Sequence, residues 1–351
     1  CDHMILLQSK APGLALKLAM SSLEMYREWQ TELDQDIEFA TRGGMILIDK
    51  PEHLSIMEDF VSRQKSIGLN VEIIDKKDVK KRQPWVSDRV IASTYSPDDS
   101  QVNPFRVLFA LVQAGTRLGV EVLRNAEVVQ LKRKSEYWEV KICSGGIFCS
   151  QTIIVAAGVW SSEVAQLVDV HLPIRPKRGQ IIVTESIDEI GETDAWDANY
   201  IISKHISHLE RDELSKKLGL GFAMSRTHSG NYLIGSTREY VGFNRNTTYE
   251  AFQAITRRAV ELFPIFSKVR IIRSFAGLRP SCDDGKYIIG EDPSNPGFFI
   301  ATGHEGDGIA LAPITGRLIS DLICGRNLAF DIDEISPARF RRERVSETSK
   351  K

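Results

Sequence analysis

The sequence predicts an α/β fold with added antiparallel β-structure, built as two interleaved domains. Helix–strand units sit at both ends of the chain and in its middle. Two strand-rich blocks, near residues 39–97 and 179–269, separate them. A continuous apolar strand, "TIIVAAG" (152–158), runs into a polar turn and a helix, the kind of strand–turn–helix that brings backbone close to a ligand. With 351 residues, 42% of them hydrophobic, two domains are the default expectation.

Taken in order, Ala11 to Leu33 reads as a helix, with Leu14, Leu18, Met25 and Trp29 on one face and Pro12-Gly13 at its start. "GGMILI" (43–48) reads as a strand after a Gly-Gly turn, Pro51 to Ile67 as an amphipathic helix stopped by Gly68, and "VEIID" (71–75) as a strand. A charged loop through Pro84 and Trp85 leads to the strand "VIASTYSP" (90–97). Asn103 caps a helix that Pro104 opens; Val107, Leu108, Leu111, Ala114 and Leu118 form its apolar face, and Gly119 ends it. "VEVLRN", "EVVQLKRK", "YWEVKICS" and "GIFCS" read as a strand meander turning at Gly145-Gly146. Ser161 or Ser162 caps the helix after "TIIVAAG". Next come strands "GQIIVTE", "NYIISK", "GFAMSRT" and "NYLIGSTRE", then a helix from Tyr249 to Phe263 ended by Pro264. "VRIIRSFAGLRP", "KYIIG" and "GFFIATG" are strands, and a helix runs from about Ile309 to Cys324 with Pro313 near its first turn. The charged tail after Arg339 is expected to fray.

Net charge is −2, which gives no reason to expect nucleic acid or an anionic membrane surface as partner. Five cysteines (Cys1, Cys143, Cys149, Cys282, Cys324) include no CxxC pair, which speaks for a reducing compartment and against a disulfide framework or a metal site. No apolar run approaches the ~18 residues a membrane span needs. A cytoplasmic protein is expected, peripheral to the inner membrane face at most.

Several stretches carry a resemblance: "IIVAAGVWSSEVAQL", "LPIRPKRGQ" (172–180), "GNYLIGSTREYVGF" (230–243), "FAGLRPSCDDGKYIIG" (275–290) and "GHEGDGIALAPITGRLISDLI" (303–323). In order and spacing, over nearly the whole chain, they resemble the D-amino acid oxidase superfamily of FAD enzymes, which includes glycine oxidase, sarcosine oxidase and D-amino acid dehydrogenase. Within it the chain is most similar to flavin subunits of hydrogen cyanide synthase, opine oxidase and proline dehydrogenase. The resemblance implies oxidation of the C–N bond of a small amino or imino acid by hydride transfer to flavin N5, and electron-accepting partner subunits in a hetero-oligomer. It also assigns residues 1–38, 98–178 and 270–351 to a discontinuous FAD-binding domain and 39–97 and 179–269 to a substrate-binding domain. One departure stands out. The family opens with a βαβ unit carrying GxGxxG, which holds the FAD pyrophosphate, and nothing here matches it. "CDHMILLQSKAPG" resembles the segment that follows that unit, so an upstream part is expected to be missing, and a chain of this length alone should hold FAD weakly. The alternative reading is an incomplete, non-catalytic flavin-subunit fragment, which binds FAD only with a partner chain or the missing segment. A catalytically silent binding protein is a further option.

Amino-acid oxidation needs a cation for the carboxylate, stabilisation of charge on reduced flavin, and a dry pocket. Arg279, in the "GLRP" segment with Gly277, is the candidate catalytic clamp, because a guanidinium fixes a carboxylate through two parallel hydrogen bonds; the competing reading is an ion pair with Asp283 or Asp284. The loop Gly303, His304, Glu305, Gly306, Asp307, Gly308 and Ile309 is the candidate flavin-ring contact, its glycines admitting the ring and its helix start facing anionic charge. His304 is read as a flavin-edge residue or a structural hydrogen-bonder. Glycine-oxidase-type relatives carry arginine where Gly306 stands, which leaves the substrate preference open. Ala157, Gly158 and Trp160 resemble a second FAD contact, and Val128 the strand beside the adenine; each could equally pack the core. Met45, Phe222, Met224 and Arg238 are candidate pocket walls or packing residues. No metal site, general base or nucleophilic triad is legible. Cys282 is read as non-covalent, because flavin-linked relatives place their cysteine nearer the final helix.

Overall fold

The computed structural model describes residues 3–205 and 213–340, the side chains of 203–205 excepted; the tail expected to fray falls mainly on residues 341–351, outside them. The chain forms two compact units, residues 1–111 with 178–278, and residues 112–177 with 279–351. Residues 1–38 and 98–111, read from sequence as cofactor-domain segments, belong to the first of these. The helices are α1 (Leu14–Glu32), α2 (Pro51–Ile67), α3 (Lys76–Arg82), α4 (Pro104–Arg117), α5 (Ser161–Gln166), α6 (Ala198–His205), α7 (Glu213–Leu218), α8 (Tyr249–Leu262) and α9 (Gly308–Ile323).

The first unit is organised by an eight-stranded sheet. Its order is Ile271–Cys282, Ile174–Ser186, Asn231–Gly235, Ala223–Arg226, Asp194–Asp197, Gly44–Ile48, Ala92–Ser96, Glu72–Asp75. From Ile174–Ser186 onward the neighbours are antiparallel, except that Asp194–Asp197 runs parallel to Gly44–Ile48. The period of two sorts its side chains. Met45, Leu47, Phe222, Met224 and Ile234 pack on one face with Ile255, Ala259 and Leu262 of α8. Ile46, Ile48, Trp196 and Ala223 pack on the other with Met57 and Phe60 of α2 and Ile201 and Ile202 of α6. Burying each large apolar side chain contributes about 1.5–3 kcal/mol before chain entropy is counted. Gly44 is fixed by a close approach: a Cβ there would stand 2.7 Å from the Trp196 ring.

The second unit carries two small sheets. Ile153–Val155 runs parallel to Phe298–Thr302, which pairs antiparallel with Ile288–Glu291. Val128–Arg133, Trp138–Ile142 and Ile147–Ser150 form the expected meander, and Gly145 turns it at φ +91°. Trp138 and Phe298 meet at 5.6 Å in a core with Val155, Ile174, Ile288 and Ile300.

Several expectations need correction. "NYIISK" is helix α6 rather than a strand: Asp197 Oδ1 accepts the Tyr200 N–H at 2.9 Å as a cap, and Ile201 and Ile202 are buried from a helical face. "VEVLRN" forms no strand. The charged loop before Pro84 contains α3, capped by Asp75, whose carboxylate accepts the Asp78 N–H at 2.9 Å. Neither serine caps α5; Ser162 donates instead to the Leu172 carbonyl at 2.7 Å. On α4, Asn103 Oδ1 does accept the Phe105 N–H, and Val107 is buried, but Leu108 and Leu118 of the expected inner face are 56% and 87% exposed. Pro313 lies in the second turn of α9, where it has no N–H to give the Ile309 carbonyl.

Candidate functional site

The two parallel strands of the second unit end side by side, and each turns into a helix: Ile153–Val155 through Ala156–Trp160 into α5, Phe298–Thr302 through Gly303–Asp307 into α9. The carboxyl edge of parallel strands is where α/β layers bind ligands, because helix N-termini and unpaired turn amides converge there. Thr302 Oγ1 ties the two turns by donating to the Gly158 carbonyl at 3.1 Å. Gly158 has φ +57° and nothing within 4 Å of a built Cβ, so its α-carbon faces open space. Gly303 needs its φ of +83°, and Glu305 is held at φ +48° although it carries a side chain. Asp307 precedes α9 and makes no side-chain capping hydrogen bond to it.

Arg279 sits against this loop. The Glu305 N–H donates to the Pro280 carbonyl at 3.0 Å, and Ser281 bridges to His304 as an antiparallel pair. The carboxylates read as competitors have other cations: Asp283 pairs with Arg175 at 2.6 Å and Asp284 with Arg339 at 2.8 Å. Arg339 and its neighbours also hold the Asp284 carboxyl below its ordinary range, although burial opposes this.

His304 is shaped by packing. Its Nε2 shares a hydrogen with Thr315 Oγ1 at 2.9 Å, and its ring stacks on Tyr287 at 5.2 Å. Burial lowers its pKa to about 4, because a charged imidazolium would lose its hydration there. The ring is neutral at physiological pH. The Tyr287 hydroxyl donates to Asp307 at 3.4 Å, and burial raises its pKa well above the usual value. Lys177 reaches Glu305 at 3.6 Å. A cavity of about 560 Å³ runs along α9 past His304, Gly308, Ala312, Thr315 and Gly316 to Ile154.

The second unit thus brings together most of the residues singled out for the cofactor: Ala157, Gly158, Trp160, Arg279 and Gly303 through Ile309, with Val128 on its meander. Trp160 is half-exposed beside Gly158. At Val128 the pairing register slips before Gln130, the sort of bulge that turns backbone amides out of the ladder. Gly277 lies in the first unit, on the strand leading to Arg279. Met45, Phe222 and Met224 are at most 1% exposed and pack in the sheet core, Phe222 stacked on Phe263. Arg238 lies over the Tyr200 ring at 3.8 Å. Cys282 is buried and its thiol pushed up to about 12, which keeps it protonated. Tyr287, Thr315 and Lys177 were not singled out from sequence, since their roles come from contacts across strands and turns that no local pattern records.

These groups fit a flavin dinucleotide in kind. Open glycine backbone suits a flat ring, an uncapped helix start suits negative charge, and the groove on α9 is lined by small and apolar side chains. A family model described as FAD dependent oxidoreductase, DAO, matches residues 4–322. The chain belongs to that family. It is an FAD-dependent oxidoreductase, and the match favours this over a non-catalytic fragment. Similar curated proteins include the hydrogen cyanide synthase subunit HcnC of Pseudomonas aeruginosa, 28% identical over 95% of this chain and 76% of that protein. Glycine oxidase of Bacillus subtilis is 26% identical over 82% of this chain and 71% of its own length. Among solved structures, glycine oxidase from Geobacillus kaustophilus superposes with a TM-score of 0.84 at 23% identity, covering 95% of this chain and 86% of that one. L-proline dehydrogenase from P. horikoshii gives 0.84 at 20%, covering 96% and 86%. These two likenesses establish the fold. No described helix is long and apolar enough to cross a membrane.

Proposed function

We propose that this oxidoreductase oxidises the C–N bond of a small amino or imino acid, with Arg279 holding the carboxylate. The observation that carries the reading is the seat of Arg279. Its strand is hydrogen-bonded to the loop that opens α9, the Glu305 N–H donating to the Pro280 carbonyl and Ser281 pairing with His304. FAD, when bound, supplies the acceptor for the hydride at N5. The chain's own part is to orient and to tune charge. Arg279 would fix the carboxylate and with it the α-carbon, the uncapped start of α9 would face developing negative charge, and His304 would present a neutral, hydrogen-bonded ring that adds no cation of its own. The similar glycine oxidase supports a small amino acid as substrate, and the word subunit in HcnC's name supports a partner chain.

Steady-state kinetics of Arg279→Ala with a panel of amino and imino acids tests this. The expected result is a rise in KM of about 10²-fold, the worth of a bidentate charged pair, with secondary structure unchanged. Arg279→Lys should recover part of the loss, since it keeps the charge without the fork. An unaltered KM for every substrate in the panel would overturn the clamp.

A further inference from the structure

A second cavity, of about 660 Å³, lies wholly among residues of the first unit and was not singled out by sequence. Phe39, Leu233 and Phe275 give it apolar walls, and Arg42 and Arg226 bring guanidinium groups to it. Asp36 and Glu38 also line it, but Arg106 engages both, at 3.6 Å and 2.7 Å. Arg42 is spoken for as well, by Glu189. Arg226 differs. Its guanidinium donates to the Ile187 carbonyl at 3.2 Å, its Nε is buried without a partner, and no carboxylate among the described residues lies within ion-pair distance of it. A guanidinium keeps its charge at any physiological pH, and a partly buried one without a counter-anion is costly to hold. Polypeptide geometry places it there regardless: Arg226 pairs with Tyr232 in the sheet, so its position is set by strand register and not by a flexible loop.

We propose that this cavity binds an organic carboxylate, with Arg226 as the cation that receives the acid and Phe39, Leu233 and Phe275 as the surface that receives an apolar body. The ligand class is a monocarboxylate with an aromatic or branched aliphatic tail. The carboxylate would supply the negative charge that the protein does not, and the apolar walls would exclude small inorganic anions from competing well. The receiving arginine is a different one from the Arg279 clamp, although Phe275 lies on the strand that leads to Arg279, and the proposal does not rest on the redox reading.

Calorimetric titration of the full chain with 3-phenylpropionate, and with its neutral amide, tests the proposal. The acid is expected to bind, and the amide at least tenfold more weakly. Arg226→Met should lower affinity for the acid at least tenfold, Arg226→Lys should fall between, and Arg279→Ala should change it less than threefold. Equal affinity for acid and amide in the unaltered protein would overturn the proposal whether or not the Arg226 variants fold. So would retention of full affinity in a folded Arg226→Met. Loss confined to Arg279→Ala would assign the binding to the other arginine and sink this site, while leaving the proposed reaction standing.

Discussion

Asp99 and His304 both titrate away from their ordinary values because of burial, and they drive stability in opposite directions with pH. Asp99 accepts the Leu7 N–H at 2.7 Å and Gln8 Nε2 at 2.6 Å, yet desolvation outweighs those bonds and raises it to about 6. A folded pKa above the unfolded 3.8 means a contribution present below about 4 and lost as pH rises through 6, on the order of 3 kcal/mol. His304 falls from 6.5 to about 4, so its contribution is present above 6.5 and lost as pH drops towards 4, by a similar amount. Urea unfolding of Asp99→Asn and His304→Gln across pH 4–7 separates them. Relative to the parent, the first variant should gain stability as pH rises through that window and the second as pH falls. Parallel curves for parent and variant would contradict the assignment. Neither effect was visible in the sequence: His304 was singled out for its place in the glycine loop, and Asp99 drew no notice, because burial is a property of the fold.

Elements were legible where local chemistry and tertiary packing agreed. Helix α2 matches its predicted limits, Pro51 to Ile67, because Pro at its start, an amphipathic period and Gly68 at φ +103° all state the same ends. Helix α6 was misread because Ile201 and Ile202 favour strands in isolation, while the Asp197 cap and burial beneath the sheet favour a helix. Helix α8 shows a tie no sequence pattern announces. Its Arg258 reaches Asp197 at 2.9 Å and Asp49 at 2.8 Å, from two sheet strands or their ends, and all three are well buried. Replacing Arg258 by Met should cost about 3 kcal/mol, because it strands two buried carboxylates. Burial opposes ionisation of Asp49, but the Arg258 hydrogen bond and charge hold its carboxyl below the usual range, so its contribution is fully present above about 3.8 and the loss should shrink only as pH falls below that. Thermal unfolding at pH 3 and 7 would show it; an equal, small loss at both would refute the pairing's importance.

At the scale of the molecule, the mixed fold could be read from order and spacing of motifs over most of the chain, and the glycine-rich turn before α9 from its local sequence, whereas the pairing of Ser281 with His304 and the Arg226 cavity could not. Both depend on sheet register between segments far apart in sequence. The same distinction governs how cofactor removal should act. A ligand that binds the native state alone stabilises by mass action, about 2.7 kcal/mol at a hundredfold excess over Kd. For a chain this long that corresponds to a rise of about 4 °C in Tm. Deflavinated protein titrated with FAD should therefore gain about that much, and flavin fluorescence should be quenched in step. Gly303→Val should abolish both responses while leaving the unliganded Tm within a few degrees, since φ +83° is strained for a β-branched residue and a Cβ there would stand 3.3 Å from the Lys286 carbonyl. Undiminished FAD-induced stabilisation in that variant would show that the Gly303–Ile309 loop does not hold the cofactor.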